Sequence, residues 1–139
     1  MPESLVKKIR TVIVDDEAAD RRAMRLSLER SCHDVEIVGE ADSAENADAV
    51  IRAGHPDLVI LDIDMPVRTG FQLLDGHPDR AFDVIFVASH GHHALKAVKY
   101  HPLDFLVKPV DIGELKGAVV KTATTRSAAG LREAGLTLW

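Results

Sequence analysis

Four carboxylates and one lysine each stand directly behind a short apolar run. Asp15 and Asp16 follow TVIV (residues 11–14), Asp62 and Asp64 follow LVIL (58–61), and Lys108 follows FLV (105–107). Singly, most have an ordinary explanation. Asp15-Asp16 can cap a helix, because carboxylates favour helix N-termini, and a lone lysine is by default a solvated surface cation. Asp62 fits such a default less well. A carboxylate ending a fully apolar strand beside other acids is costly, since like charges at close range raise each other's pKa unless a cation sits among them. A hard divalent ion such as Mg2+ or Mn2+ suits carboxylate and carbonyl oxygens, and Lys108 would add a second positive charge. Carboxylates, a divalent ion and a lysine around an open edge make a phosphoryl-transfer site. The cations neutralise the phosphoryl oxygens, and a carboxylate is available as the nucleophile.

These residues can meet only if the apolar runs lie side by side. Five runs recur: TVIV (11–14), VEIV (35–38), LVIL (58–61), VIFV (84–87) and FLV (105–107). Each is too short for a helix and rich in Val, Ile, Leu or Phe, as expected of strands buried on both faces. Helical spacing separates them. In the first such segment Ala18, Met24 and Leu28 face one way, and Arg22, Arg25 and Glu29 the other. In the second, Ser43 is the expected N-cap, Ala44, Ala47 and Ile51 form the stripe, and Gly54 ends the helix. Phe71 and Leu74 anchor a third, and Ala94, Leu95, Ala97 and Val98 a fourth. Asp111 with Glu114 opens a fifth in capping-box fashion, followed by Leu115, Val119 and Thr122. Alternating strand and helix implies right-handed crossovers, a parallel sheet covered on both faces, and ligands bound beyond the carboxyl ends of the strands.

At 139 residues the chain fits one domain with a real core. A hydrophobic content of 46% argues against disorder. The net charge of −5 and the lack of a lysine- or arginine-rich stripe argue against nucleic-acid binding by this chain alone. Cys32 is the one cysteine, so no intrachain disulfide can form; its expected role is packing in a reducing, cytoplasmic setting. No run approaches a membrane span, and the apolar run behind MPESLVKKIR is too short for a signal peptide.

The stretch FVASHGHH (86–93) crowds His90, His92 and His93 behind the fourth run. It is a poor transition-metal set: His92 and His93 are adjacent, so they diverge at a helix start, and no cysteine or well-spaced third ligand accompanies them. A solvated loop loosened by Gly91 accounts for His92 and His93.

In order, VDDE, DIDMPVRTG and FLVKP resemble the motifs of the receiver domain of two-component response regulators, over residues 9 to about 122. The resemblance implies a doubly wound, flavodoxin-like (βα)5 fold whose parallel five-stranded sheet has the order 2-1-3-4-5. It implies Asp62 as phosphoacceptor, with a sensor histidine kinase as donor. Asp16 would bind Mg2+ directly, Asp15 through the metal's water, and Asp64 through its backbone carbonyl. Lys108 would pair with the acceptor carboxylate and then with the phosphoryl group, held by a cis bond to Pro109. Phe105 matches the aromatic switch position, where core packing is the plainer role. The family's phosphoryl-contacting Thr or Ser falls on Ala88, and Ser89, one residue later, should point elsewhere by strand alternation. His90 and Asp64 occupy the positions that flank access to the phosphoryl group, and they are expected to pair across the site mouth. ALKAVKYHPLDFLVKP (94–109) is similar to receivers that precede LytTR-type DNA-binding domains.

The resulting expectation is a receiver domain at residues 1–125, with 126–139 as a helix extension or linker toward an output domain, through which any DNA binding would occur. Such a domain catalyses its own phosphorylation and dephosphorylation without being a turnover enzyme. It would switch the face formed by the fourth helix, fifth strand and fifth helix, through which a homodimer could form. Two alternatives stand beside it. LDIDMPV resembles the nucleophile motif of haloacid-dehalogenase-type phosphohydrolases, with Asp62 attacking and Asp64 as acid/base. A pseudo-receiver used only for protein binding is the other.

Overall fold

The computed structural model describes residues 7–133, and the side chains of residues 7–126. Its elements are β1 (Ile9–Val14), α1 (Ala18–Ser31), β2 (Val35–Ala41), α2 (Ala44–Gly54), β3 (Leu58–Asp62), α3 (Gly70–Asp75), β4 (Asp83–Ala88), α4 (Ala94–Ala97), β5 (Asp104–Val107) and α5 (Ile112–Glu133). All strand pairs are parallel, in the order β2-β1-β3-β4-β5, as expected. Among the described residues no helix is long and apolar enough to cross a membrane.

Strand alternation splits the interior into two cores. Val12, Val14, Val59, Leu61, Val84, Phe86 and Ala88 pack against α2, α3 and α4. Ile9, Ile13, Leu58, Ile60, Ile85 and Val87 pack against Met24 and Leu28 of α1 and Leu115, Ala118 and Val119 of α5. Both faces are therefore apolar, which is why the runs lack polar alternation. Cys32 is buried as packing predicts, and burial raises its thiol pKa. In α1, Met24 and Leu28 are buried, but Ala18 is exposed in the first turn.

The helix ends show where local signals held. Ser43 Oγ accepts from the Asn46 N–H at 3.1 Å, so it caps α2. The left-handed residue that ends α2 is His55 (φ 45°), one beyond the expected Gly54. Gly54, the last residue of α2, packs close instead: a Cβ there would meet Val38 Cγ2 at 3.3 Å. Asp111 Oδ2 accepts from the Glu114 N–H at 3.0 Å, starting α5 as its spacing predicts, and Leu115, Val119 and Thr122 are buried. Residues 134–139 of the expected linker lie outside the described residues.

The fourth helix departs from expectation. It is one turn, flanked by 3-10 turns at Gly91–His93 and Val98–Tyr100. Of its apolar set Ala97 is buried, while Leu95 and Val98 are 87% and 64% exposed. Half-buried Tyr100 packs against the core there instead. Its ring stacks on Phe71 at 5.0 Å and meets Phe86 edge-on at 6.2 Å, and its hydroxyl donates to Asp75 Oδ1 at 2.9 Å. An aromatic of that size fills the space that an i, i+4 aliphatic stripe would have used.

At the other end of the sheet, Arg126 of α5 donates to the carbonyls of Asp57 (2.6 Å) and Ala81 (2.7 Å) and pairs with Asp83 at 3.3 Å. This ties α5 to the entrances of β3 and β4. At the β3 exit, α3 begins at Gly70, where a Cβ would lie 2.7 Å from the Asp62 carbonyl oxygen. Gly70→Ala is therefore expected to displace Asp62 and to cost about 1–3 kcal/mol, measured by urea unfolding.

Candidate functional site

The chain reverses its direction of strand addition between β1 and β3, which lie side by side in the sheet. Their carboxyl ends open the crevice in which such sheets bind ligands. Asp15 and Asp16 leave β1 there, Asp62 ends β3, and Lys108 follows β5. Asp15, Asp16 and Asp62 each offer a carboxylate oxygen within 4.8 Å of the others. Asp15 and Asp62 are buried, at 6% and 2% exposure, so water screens their repulsion poorly.

Asp15 and Asp62 are each held by the loop that follows them. The Glu17 N–H donates to Asp15 Oδ1 at 2.9 Å, and Arg21 Nη1 donates to the Asp15 carbonyl at 2.7 Å. The Asp64 N–H donates to Asp62 Oδ1 at 3.0 Å. Lys108 is delivered by the β4–β5 ladder, which continues through its N–H to the Ala88 carbonyl at 2.8 Å. The Lys108–Pro109 bond is cis, as the family resemblance implies.

The electrostatics follow. Burial, then the charge on Asp15, drives the Asp62 pKa up to about 7, against the opposing pull of Lys108 and the Asp64 N–H. Burial alone would lower the Lys108 pKa. Hydrogen bonds to Asp20 and Asp15, and the charges of Asp62 and Asp15, outweigh it and keep the ammonium firmly protonated. One cation thus faces three clustered carboxylates, all hard oxygen donors. That excess of negative charge and that donor set fit a divalent ion of the Mg2+ or Mn2+ kind.

Asp64 carries the main correction. Its carboxylate pairs not with His90 but with His93, Nε2 to Oδ1 at 2.9 Å, and its Oδ2 accepts from the Ser89 N–H at 3.0 Å. The 3-10 turn at Gly91–His93 swings residue 93 back over the crevice, while His90 is extended (φ −138°, ψ 150°) and exposed. His93 is consequently no free loop residue: it also meets the Phe71 ring edge-on at 6.0 Å. The His92 and His93 rings do not diverge but sit 4.0 Å apart. Burial pushes the Asp64 pKa up, but the Ser89 N–H and His93 outweigh it and hold the carboxyl below its usual range.

Ala88 is fully buried, its methyl on the core side with Val84 and Phe86. No hydroxyl stands at that position, and the exposed Ser89 lends the site its backbone N–H. Phe105 packs half-buried against the same core. Two participants were not visible in the sequence. Asp20 Oδ2 takes a hydrogen bond from Lys108 Nζ at 2.7 Å, although an acid in a first helical turn signals nothing beyond helix polarity. The other is Arg21, which the helical spacing of α1 did not single out and whose Nη1 reaches the Asp15 carbonyl.

Comparison with known proteins agrees with this geometry. A family model described as response regulator receiver domain matches residues 11–120. The transcriptional regulatory protein BtsR of Escherichia coli K12 is 32% identical over 120 residues, 86% of this chain and 50% of that protein. The sensory transduction protein LytT of Bacillus cereus is 32% identical over 108 residues, 74% of this chain and 42% of that protein. The latter likeness is consistent with the LytTR-type resemblance of residues 94–109. The chain spans about half the length of the curated relatives it matches. Among solved structures, the signal receiver domain of the response regulator NarL from Mycobacterium tuberculosis superposes with a TM-score of 0.75 at 28% identity, covering 85% of this chain and 98% of that one. The receiver domain of AraT from Geobacillus stearothermophilus gives 0.78 at 25% identity, covering 86% and 95%. A match over residues 11–120, on a sheet of this strand order, places the chain in the response regulator receiver domain family.

Proposed function

We propose that Asp62 is the phosphoacceptor of a two-component switch, with a histidine kinase's phosphohistidine as donor. The observation that carries this is the near-complete burial of Asp62 beside two further carboxylates and Lys108 at the β1/β3 crevice. In the transfer, an Asp62 carboxylate oxygen forms the new bond to phosphorus as the bond from phosphorus to the donor nitrogen breaks. The electron pair leaves with the donor. Asp16, Asp62 and the Asp64 carbonyl would hold Mg2+, with Asp15 fixing its water. The ion, when bound, supplies charge neutralisation for the phosphoryl oxygens. Lys108 orients and neutralises the phosphoryl group from the β5 side.

The chain acts in this reading as a signalling protein rather than a turnover enzyme. A phosphohydrolase is disfavoured because Asp64, which would have to act as acid/base, is committed to His93 and the Ser89 N–H and is held ionised. The bridge between Asp64 and His93 screens the mouth of the site, a role the sequence had suggested for His90. Phe105 and the exposed Leu95, Val98 and Val107 lie on the α4–β5–α5 face, the surface through which phosphorylation would alter partner or homodimer contacts. Transcriptional output would reside in a further domain that binds DNA, and the setting is cytoplasmic.

Incubation with acetyl phosphate and Mg2+, followed by intact mass, is expected to show one added phosphoryl group in the wild type and none in Asp62→Ala. No adduct in the wild type would sink the proposal.

The raised Asp62 pKa also fixes a pH dependence. Between the unfolded value near 3.8 and about 7, the folded state binds the extra proton. Its contribution to stability is complete below that window and lost as pH rises through about 7. The metal-free protein is expected to melt lower at pH 8 than at pH 5, through a term of up to ~3 kcal/mol. Added Mg2+ should raise the melting temperature more at pH 8, and Asp62→Asn should flatten the profile; calorimetry at the two pH values checks both.

A further inference from the structure

Lys108 stands nearest to a carboxylate that the proposed transfer does not use. Its Nζ lies 2.7 Å from Asp20 Oδ2, 2.9 Å from Asp15 Oδ2 and 3.7 Å from Asp62 Oδ2. The first two are hydrogen-bond distances and the third is not. Asp20 is the third residue of α1 and lies outside the carboxylate trio suited to a metal. Its side chain is 39% exposed and that of Lys108 19%, so the pair sits at the rim of the crevice. An ammonium has three N–H donors; two are engaged by Asp20 and Asp15, which draws the charge toward α1 and away from Asp62.

We propose that Asp20 is a positioning residue that competes with the phosphoryl group for Lys108 and thereby restrains phosphorylation of Asp62. The inference rests on Asp62 being the phosphoacceptor. Before transfer, Asp20 holds the ammonium on α1. To serve the incoming phosphoryl group, Lys108 must give up a charge-assisted hydrogen bond. After transfer, the phosphoryl group, with close to two negative charges, outcompetes a half-exposed carboxylate. Lys108 then swings to Asp62, and the tie between α1 and the Lys108–Pro109 corner opens. The switch therefore releases a contact at α1 that does not depend on a hydroxyl at Ala88. Were Asp20 merely a favourable acid at a helix N-terminus, its removal would lower stability and leave the transfer rate unchanged.

The test is a time course of labelling by acetyl phosphate and Mg2+, read by intact mass, on the wild type, Asp20→Asn, Asp20→Ser, Lys108→Ala and the double variant Asp20→Asn/Lys108→Ala. Removing the carboxylate by either Asn or Ser is expected to accelerate labelling by about three- to tenfold. The gain should disappear in the Lys108→Ala background, because Asp20 acts through that ammonium. Labelling of Asp20→Asn and Asp20→Ser at the wild-type rate would overturn the inference while leaving Asp62 as acceptor. A gain of equal size without Lys108 would also overturn it, since Asp20 would then act by bulk charge alone. An unlabelled wild type would remove the acceptor assignment and this inference together.

Discussion

Three carboxylates are held at one end of a sheet from which water is largely excluded, and the rest of the site answers to their repulsion. Asp15 and Asp62 are nearly inaccessible, and Asp16 adjoins them. In water their interaction would be weak; at a buried edge the same separation costs several times more. The chain meets that cost with one ammonium, one protonation equilibrium shifted to about neutral at Asp62, and backbone N–H groups from Glu17 and Asp64. The remaining negative charge is what makes the cluster suited to a divalent cation.

The hydrophobic framework exists to hold that repulsion in place. β1 and β3 are apolar on both faces and sandwiched between two helical layers, so their ends cannot drift apart without exposing core. Gly70 lets α3 start against the Asp62 carbonyl, fixing the β3 exit from below. Arg126 anchors α5 at the β3 and β4 entrances. β3 is therefore pinned at both ends by residues outside the carboxylate cluster.

Above the crevice, two loops are joined by Asp64. Its carboxylate reaches Ser89 and His93 on the β4–α4 side, so that loop is tied to the end of β3. Ala88 leaves the end of β4 without a hydroxyl, and the polar contacts of this corner run through Asp64 and through Lys108 instead. The short α4, with Tyr100 filling the space beneath it, leaves Leu95 and Val98 turned outward. A segment with so few buried contacts is a natural place for a surface to respond to charge at the site.

Strand identity and the gathering of Asp15, Asp16, Asp62 and Lys108 at one edge were legible in the sequence, because double burial writes uninterrupted apolar runs and a parallel sheet brings together whatever follows them; the strand order followed from the family resemblance. The caps at Ser43 and Asp111 were legible too, since each is decided within one turn of chain. The end of α2 and the weakness of α4 were not: Gly54 lies close to Val38, and Tyr100 packs on Phe71 and Phe86 beside α4, both matters of long-range packing. The partner of Asp64 was misjudged for the same reason. Spacing favoured His90, but a 3-10 turn of three residues reversed which imidazole faces the site. Asp20 was invisible, because only the tertiary structure sets a residue of α1 beside one 88 positions away behind β5. Sequence periodicity thus determined the scaffold and the charges it gathers. Which charge each cation serves was decided by differences of about an ångström (2.7 against 3.7 Å at Lys108) between elements remote in the chain, and no local pattern encodes those.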